Sequence, residues 1–106
     1  MAYFDLIIRI SHLLVTMLWR GSFEMQYSEL YSMRIKSLCA KRHISINKLA
    51  LMSDVRQSTI DNIIQGKSKN PTVKSLHKIA VAFNMTLAEF LDFKELNEFS
   101  FEDDLD

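Results

Sequence analysis

The stretch Ser45–Gly66, SINKLALMSDVRQSTIDNIIQG, decides the fold, because it reads as two short helices joined by a tight turn. Apolar residues recur at helical spacing in both helices, which gives each helix one face to bury. Those apolar faces consist of Ile46, Leu49 and Ala50 in the first helix and Ile60, Ile63 and Ile64 in the second. When these faces pack together, the second helix keeps a polar face pointing outward. That polar face consists of Gln57, Ser58, Asp61, Asn62 and Gln65.

Residues with special backbone preferences mark the ends of both helices. Ser45 is predicted to cap the first helix, with Ile44 packing back onto Leu49. Asp54 lies in the turn between the helices, where aspartate is one of the few non-glycine residues that tolerate a positive φ. Gly66 follows the second helix and is predicted to end it in the left-handed conformation.

Residues 45–91, SINKLALMSDVRQSTIDNIIQGKSKNPTVKSLHKIAVAFNMTLAEFL, closely resemble the Cro/repressor-type helix-turn-helix of bacterial and phage regulators, the XRE family. The resemblance extends from about Tyr31 to Phe93. The segments that carry it are Leu49-Ala50, Val55, Gln57-Ser58-Thr59-Ile60, Gly66, Asn70-Pro71-Thr72, Ile79-Ala80 and Glu89-Phe90-Leu91. Two positions depart from the family pattern: Asp54 replaces the usual turn glycine, and Arg56 replaces the usual Ser or Thr cap.

The resemblance implies an all-α fold, a compact five-helix lambda-repressor-like DNA-binding domain over residues 25–93. The remaining helices are predicted at Tyr31–Lys41, after Thr72, and after Thr86, where Thr86 and Glu89 form a capping box. On the first helix Leu30, Ile35 and Leu38 are expected to face inward. The basic residues expected to face outward are Arg34, Lys36, Lys41 and Arg42.

The helix Gln57–Gln65 is predicted to enter the major groove of double-stranded DNA. Gln57 and Asn62 are the best candidates for base contact, because both side chains can pair bidentately with adenine. Ser58 and Asp61 are placed where they can touch base edges or water. The residues expected to position the domain on phosphates are Ser45, Asn47, Lys48, Arg56, Thr59, Lys67, Lys69 and Asn70. For Thr59, a hydroxyl bonded back within its own helix is an equal alternative.

One such helix covers few bases, so the resemblance also implies a homodimer on an inverted repeat.

Composition supports a helical domain without cofactors. The chain has two glycines, one proline and a single cysteine, Cys39, which is interpreted as a small core residue and excludes an internal disulfide. His12, His43 and His77 share no metal-ligand spacing, and no catalytic constellation is apparent, so neither a metal nor an enzymatic activity is predicted.

A net charge of zero hides a separation of charge along the chain. Residues 25–93 hold ten Lys/Arg and five Asp/Glu, a net +5, whereas residues 94–106 hold one lysine and six acids, a net −5. A basic domain with an acidic tail suits a polyanionic ligand. The tail is interpreted as solvated surface, as a dimer contact, or as a segment that competes for the basic face.

Residues 1–24 are strongly apolar with one narrow polar stripe, and they predict an extra N-terminal helix. Three interpretations stay open: a helix that packs on the domain or a second subunit, an interfacial anchor, or sequence that the cell does not normally translate. The third follows because Arg20-Gly21 can be encoded by a purine run of the ribosome-binding type shortly before Met25. N-terminal sequencing of the natural protein distinguishes it from the other two.

Two function classes therefore follow from the sequence. The first is a cytoplasmic transcription regulator, a repressor, without a membrane contact. The alternative is the antitoxin of a toxin–antitoxin pair, which binds a partner protein and regulates its own operon. In that case the N-terminal helix or the acidic tail supplies the surface for the partner.

Overall fold

The computed structural model of the protein describes residues 25–101, and the predicted N-terminal helix and residues 102–106 lie outside the described residues. Residues 25–101 form six helices and no strand, which confirms the all-α prediction. The helices are α1 Tyr27–Arg42, α2 Ile46–Ser53, α3 Gln57–Ile64, α4 Val73–Ala82, α5 Leu87–Leu91 and α6 Lys94–Asn97. None of the helices in this part of the chain is long and apolar enough to cross a membrane.

The core is built from residues of α1 to α5, with α1 packed on α2 and α3, and α4 packed on α2 and α5. Ile35 of α1, Ile60 of α3 and Ile79 of α4 are completely buried, as are Leu49 and Phe90. The apolar stripes predicted from helical spacing are therefore the inner faces of the helices. Cys39 is buried among them, and burial raises the pKa of its thiol, as expected for a small core residue.

Capping explains why each short helix begins where it does. The Ser45 hydroxyl accepts a hydrogen bond from the Lys48 amide at 3.0 Å, and the Thr72 hydroxyl accepts one from Ser75 at 3.1 Å. Thr86 and Glu89 form the predicted capping box, and their hydrogen bonds lower the pKa of Glu89. Each cap supplies a partner to an amide that the first helical turn leaves without one.

The ends of the helices also follow the sequence. Asp54 ends α2 with φ 57° and Gly66 follows α3 with φ 71°. Asp54 stands at the turn position where the family usually has glycine, and it keeps the left-handed conformation there. Its carbonyl oxygen accepts a hydrogen bond from Lys78 Nζ at 3.3 Å. The chain can therefore pass from α2 to α3 without a glycine.

The first helix differs from its prediction at its start. α1 begins at Tyr27, one turn before the predicted Tyr31. The Glu29 carboxylate accepts a hydrogen bond from the Gln26 amide at 3.4 Å, which starts the helix upstream of its apolar stripe. Ser28 and Ser32 are buried on this turn, and such small polar residues interrupt the apolar pattern that a sequence reading follows.

Arg34, which was predicted to face outward, is only partly exposed. Its side chain crosses from α1 to the end of α5, where Nε donates to the Phe90 carbonyl at 2.9 Å and a terminal nitrogen donates to the Glu89 carbonyl at 3.0 Å. The guanidinium carbon lies 5.3 Å from the centre of the Phe93 ring. Arg42, also predicted outward, is exposed overall but donates to the Phe83 carbonyl after α4. Both arginines thus satisfy carbonyls that a helix end leaves free.

The first residues of the acidic tail form a helix that was not predicted from the sequence. Lys94–Asn97 forms the short helix α6, and Leu96 packs partly buried against the core. The Phe99 and Phe101 rings each lie 5.5 Å from the ring of Tyr27, at the start of α1. The described part of the tail is therefore packed against α1.

Tyr31 of α1 lies beside this contact with Tyr27. Burial raises the pKa of Tyr31, and the hydrogen bond between the Tyr27 and Tyr31 hydroxyls raises it further.

Replacing Arg34 by alanine should lower the free energy of unfolding by about 1–3 kcal/mol, because it removes two charge-assisted hydrogen bonds and a ring contact. Urea denaturation measures the loss. Arg34→Lys should lose part of this stability, since an ammonium group cannot make the same planar pair of bonds. Lys36→Ala is the matched control on the exposed side of α1 and should change stability by less than about 0.5 kcal/mol. Equal stability of the Arg34→Ala and Lys36→Ala proteins would contradict the structural role of Arg34.

Candidate nucleic-acid interface

The orientation of α3 follows from its two buried isoleucines. Ile60 and Ile63 are 0% and 1% exposed and pack toward α1, which holds one side of the helix inside the domain. The Ser32 hydroxyl of α1 donates to the Ile64 carbonyl at 2.6 Å, which fixes the end of α3. Because a helix places residues three and four apart on one face, the opposite side of α3 must face solvent.

The structure brings together the four residues predicted to contact bases on that outer side. Gln57, Ser58 and Asn62 are exposed, and Asp61 is half-buried between them. Gln57 Nε2 donates to Asp61 Oδ1 at 2.9 Å, one helical turn apart. The face therefore presents amide, hydroxyl and carboxylate groups, which are the side chains that recognise base edges.

The start of α3 carries a positive charge and no side-chain cap. Arg56 occupies the capping position, is exposed and makes no capping hydrogen bond with its side chain, as its departure from the usual Ser or Thr implies. Its carbonyl accepts hydrogen bonds from the Thr59 and Ile60 amides at 3.0 and 3.1 Å. The amides of the first turn and the guanidinium group together make this helix end attractive to an anion.

A polar cleft lies beside the exposed face of α3. It has a volume of about 330 Å³ and is lined by Thr59, Asn62, Lys67 and Ser68. The Asn62 carbonyl accepts hydrogen bonds from the Lys67 and Ser68 amides at 2.9 and 3.2 Å, so the loop after α3 folds back onto the helix. The cleft joins one predicted base-contact residue, Asn62, to two predicted phosphate-contact residues.

Ser68 is the residue of this cleft that the sequence prediction omitted. Its position in the polar run Lys67-Ser68-Lys69-Asn70 was the available signal. The fold of that loop depends on Gly66, whose φ of 71° disfavours any other residue, although an added Cβ would meet Glu29 only at 3.8 Å. Lys69 and Asn70 are exposed farther along the loop and do not line the cleft.

The remaining predicted phosphate-contact residues lie at the start of α2. Asn47 and Lys48 are exposed, and Ser45 is exposed with its hydroxyl oxygen engaged as the helix cap. These side chains form a second polar group, apart from the cleft beside α3. Of the ten basic residues in residues 25–93, Arg34, Arg42 and Lys78 bind carbonyl oxygens. The predicted positioning cations Lys48, Arg56, Lys67 and Lys69 all remain exposed.

The described part of the chain offers no metal-binding site, because residues 25–101 contain no group of three or more His, Cys, Asp or Glu side chains that could hold a metal ion. Glu89, the acid whose pKa is lowered, is engaged in the capping box of α5. Among the described residues, the titratable groups with shifted pKa values are Tyr31, Cys39 and Glu89, and they lie in the core or at a helix cap rather than on α3.

Comparison with known proteins identifies the family of the domain. Residues 34–95 match the model of the Cro/C1-type helix-turn-helix DNA-binding domain, which covers more than half of the chain. The crystal structure of the prophage Lp1 protein 11 is similar, with a TM-score of 0.63 and 28% sequence identity over 71% of this chain and 100% of that one. No curated protein matches the sequence.

The matched region contains all of α2 to α5 and just over half of α1, and it includes the exposed face of α3 and the adjoining cleft. The resemblance to Cro/repressor regulators read from the sequence is thereby confirmed. The chain belongs to the Cro/C1-type helix-turn-helix family of DNA-binding domains that act in transcription regulation.

Proposed function

We propose that the chain is a sequence-specific transcriptional repressor whose helix α3 reads the major groove of double-stranded DNA. The observation that carries this proposal is the exposed polar face of α3 beside the cleft of Thr59, Asn62, Lys67 and Ser68. The face offers groups for base edges, and the cleft and helix starts offer groups for phosphates. Repression requires only that the bound protein occupy a promoter.

The protein acts as a homodimer on an inverted repeat. An α3 of eight residues is about 12 Å long, which is enough to reach only a few base pairs of one groove. Two copies with half-sites about one helical turn apart double the length of sequence that is read. Binding measurements on paired half-sites, with the spacing varied by single base pairs, test this arrangement. Binding that is indifferent to spacing would contradict it.

Base recognition should depend on Gln57 and Asn62. Replacing either residue by alanine should cost about 1–3 kcal/mol on the preferred site, roughly a 5- to 150-fold loss of affinity, and relax the preference at one position. Both side chains are exposed, so the fold should be unaffected. The exposed α1 residue Ser37 provides the control, because Ser37→Ala should bind as the parent does. Gln57→Ala and Asn62→Ala proteins with unchanged affinity and preference would show that α3 does not read bases.

Phosphate contacts should behave differently, because phosphates carry no sequence information. Lys67→Ala, Lys69→Ala and Arg56→Ala should each weaken binding to all DNA and lower the slope of log affinity against log salt by about one. Fluorescence anisotropy at several salt concentrations measures both quantities. Lys94→Ala, an exposed lysine of α6, is the matched control and should leave the slope unchanged. A Lys67→Ala protein with an altered sequence preference and the parental slope would contradict the phosphate role.

The acidic end of the chain should compete for this surface. Phe101 packs on Tyr27 at the start of α1, and the same turn of α1 approaches Gly66, with Glu29 Cγ 3.8 Å from an added Cβ. The four acids Glu102, Asp103, Asp104 and Asp106 follow Phe101 in the sequence. A short tether gives them a high effective concentration at the basic surface of the domain, and salt screens the attraction.

Deleting residues 102–106 should therefore strengthen non-specific DNA binding at low ionic strength, and the difference should fade as salt rises. This truncation keeps Phe99 and Phe101, so it separates the charge from the aromatic packing. Affinity and molecular mass are measured for both chains at two salt concentrations. Weaker binding at every salt concentration, with a shift toward monomer, would instead make these residues part of the dimer contact. Unchanged affinity and mass would leave them as solvated surface.

A further inference from the structure

The hydrogen bond between Gln57 and Asp61 fixes the direction of the Gln57 amide. Gln57 Nε2 lies 2.9 Å from Asp61 Oδ1, on adjacent turns of the exposed face of α3. An ionised carboxylate only accepts hydrogen bonds, so the nitrogen end of the amide, and not its oxygen, must face Asp61. The amide would otherwise be free to turn over and exchange its donor and acceptor ends.

A fixed amide offers DNA one donor and one acceptor. One N–H of Gln57 is used by Asp61, which leaves the other N–H and the Oε1 atom. Adenine presents an N7 acceptor beside an N6–H donor in the major groove, which matches this pair. Guanine presents two acceptors, N7 and O6, and would place its O6 against the amide oxygen. The amide held by Asp61 therefore suits adenine and opposes guanine.

We propose that Asp61 is a positioning residue that acts through Gln57 and sets the preference of that side chain for adenine over guanine. This inference rests on the proposed function of α3. It assigns a role to a carboxylate on a face where negative charge opposes binding to phosphates. Asp61 thus lowers general affinity for DNA and raises discrimination between bases, since specificity is a difference between affinities.

A structural role for Asp61 makes a different prediction. Hydrogen bonds between Gln and Asp four residues apart stabilise helices weakly, by about 0.2–0.5 kcal/mol. If that were the whole role, replacing Asp61 would change stability slightly and leave base preference alone. Base preference at a single position is therefore the decisive measurement.

The experiment uses the full chain and operator duplexes that carry each of the four bases at one position. That position is identified as the one where Gln57→Ala relaxes the preference of the parent. Asp61→Ala should reduce the preference for adenine over guanine there by about fivefold or more, within the range expected for a bidentate pair. It should also strengthen binding to random DNA at low salt, because a negative charge is removed. Asp61→Glu, which keeps an acceptor one turn from Gln57, should restore part of the preference.

The double variant Gln57→Ala/Asp61→Ala tests whether Asp61 acts through Gln57. In the Gln57→Ala background, removing Asp61 should no longer change base preference at any position. A full effect of Asp61→Ala in that background would show that Asp61 contacts a base itself, and would overturn the inference. An unchanged adenine preference in the Asp61→Ala protein would overturn it as well. A parent chain without preference for any sequence would contradict the proposed function, and the inference with it.

Discussion

The structure depends on the burial of Ile60 and Ile63 against α1. An isolated helix of eight residues is unstable in water, because nucleating a helix costs more than so few hydrogen bonds return. The two isoleucines supply the missing stability, and they also fix the rotation of α3 about its axis. Every polar side chain on the outer face takes its direction from that rotation. A polar residue at either position would disturb the fold and the proposed recognition surface together.

Helix α1 also binds the ends of three other helices, whose apolar faces lie in the core. Arg34 of α1 binds the last carbonyls of α5, Arg42 binds the carbonyl that follows α4, and Ser32 binds the end of α3. A single long helix, α1, thus gathers the ends of three others, which suits a small domain with short helices. These contacts also reduce the number of basic side chains that are available to bind DNA. Three of the ten basic residues in residues 25–93 bind carbonyl oxygens within the fold, and the cations that remain exposed near α2 and α3 carry the electrostatic part of the proposal.

Local rules in the sequence predicted the features that depend on near neighbours. Ser45, Thr72 and Thr86 cap the helices that follow them, and Asp54 and Gly66 have the left-handed conformation expected at their turns. The rules failed where partners are distant in sequence. Arg34 looks like a surface residue until α5 is placed beside it. The role of Ser68 in the cleft, and the packing of Phe101 on Tyr27, likewise depend on how the chain folds back. The bond between Gln57 and Asp61 is local, and their spacing of one turn was the signal that could have revealed it.

Selection of bound sites from random DNA with the full chain tests the central claim most directly, because it measures sequence preference, symmetry and spacing at once. The account predicts enrichment of an inverted repeat whose half-sites are separated by about one helical turn of DNA. It also predicts that adenine is enriched at a position of each half-site that Gln57 reads. Recovery of a pool with no enriched sequence, from a protein that still binds DNA, would contradict the account and leave only non-specific attraction to phosphates.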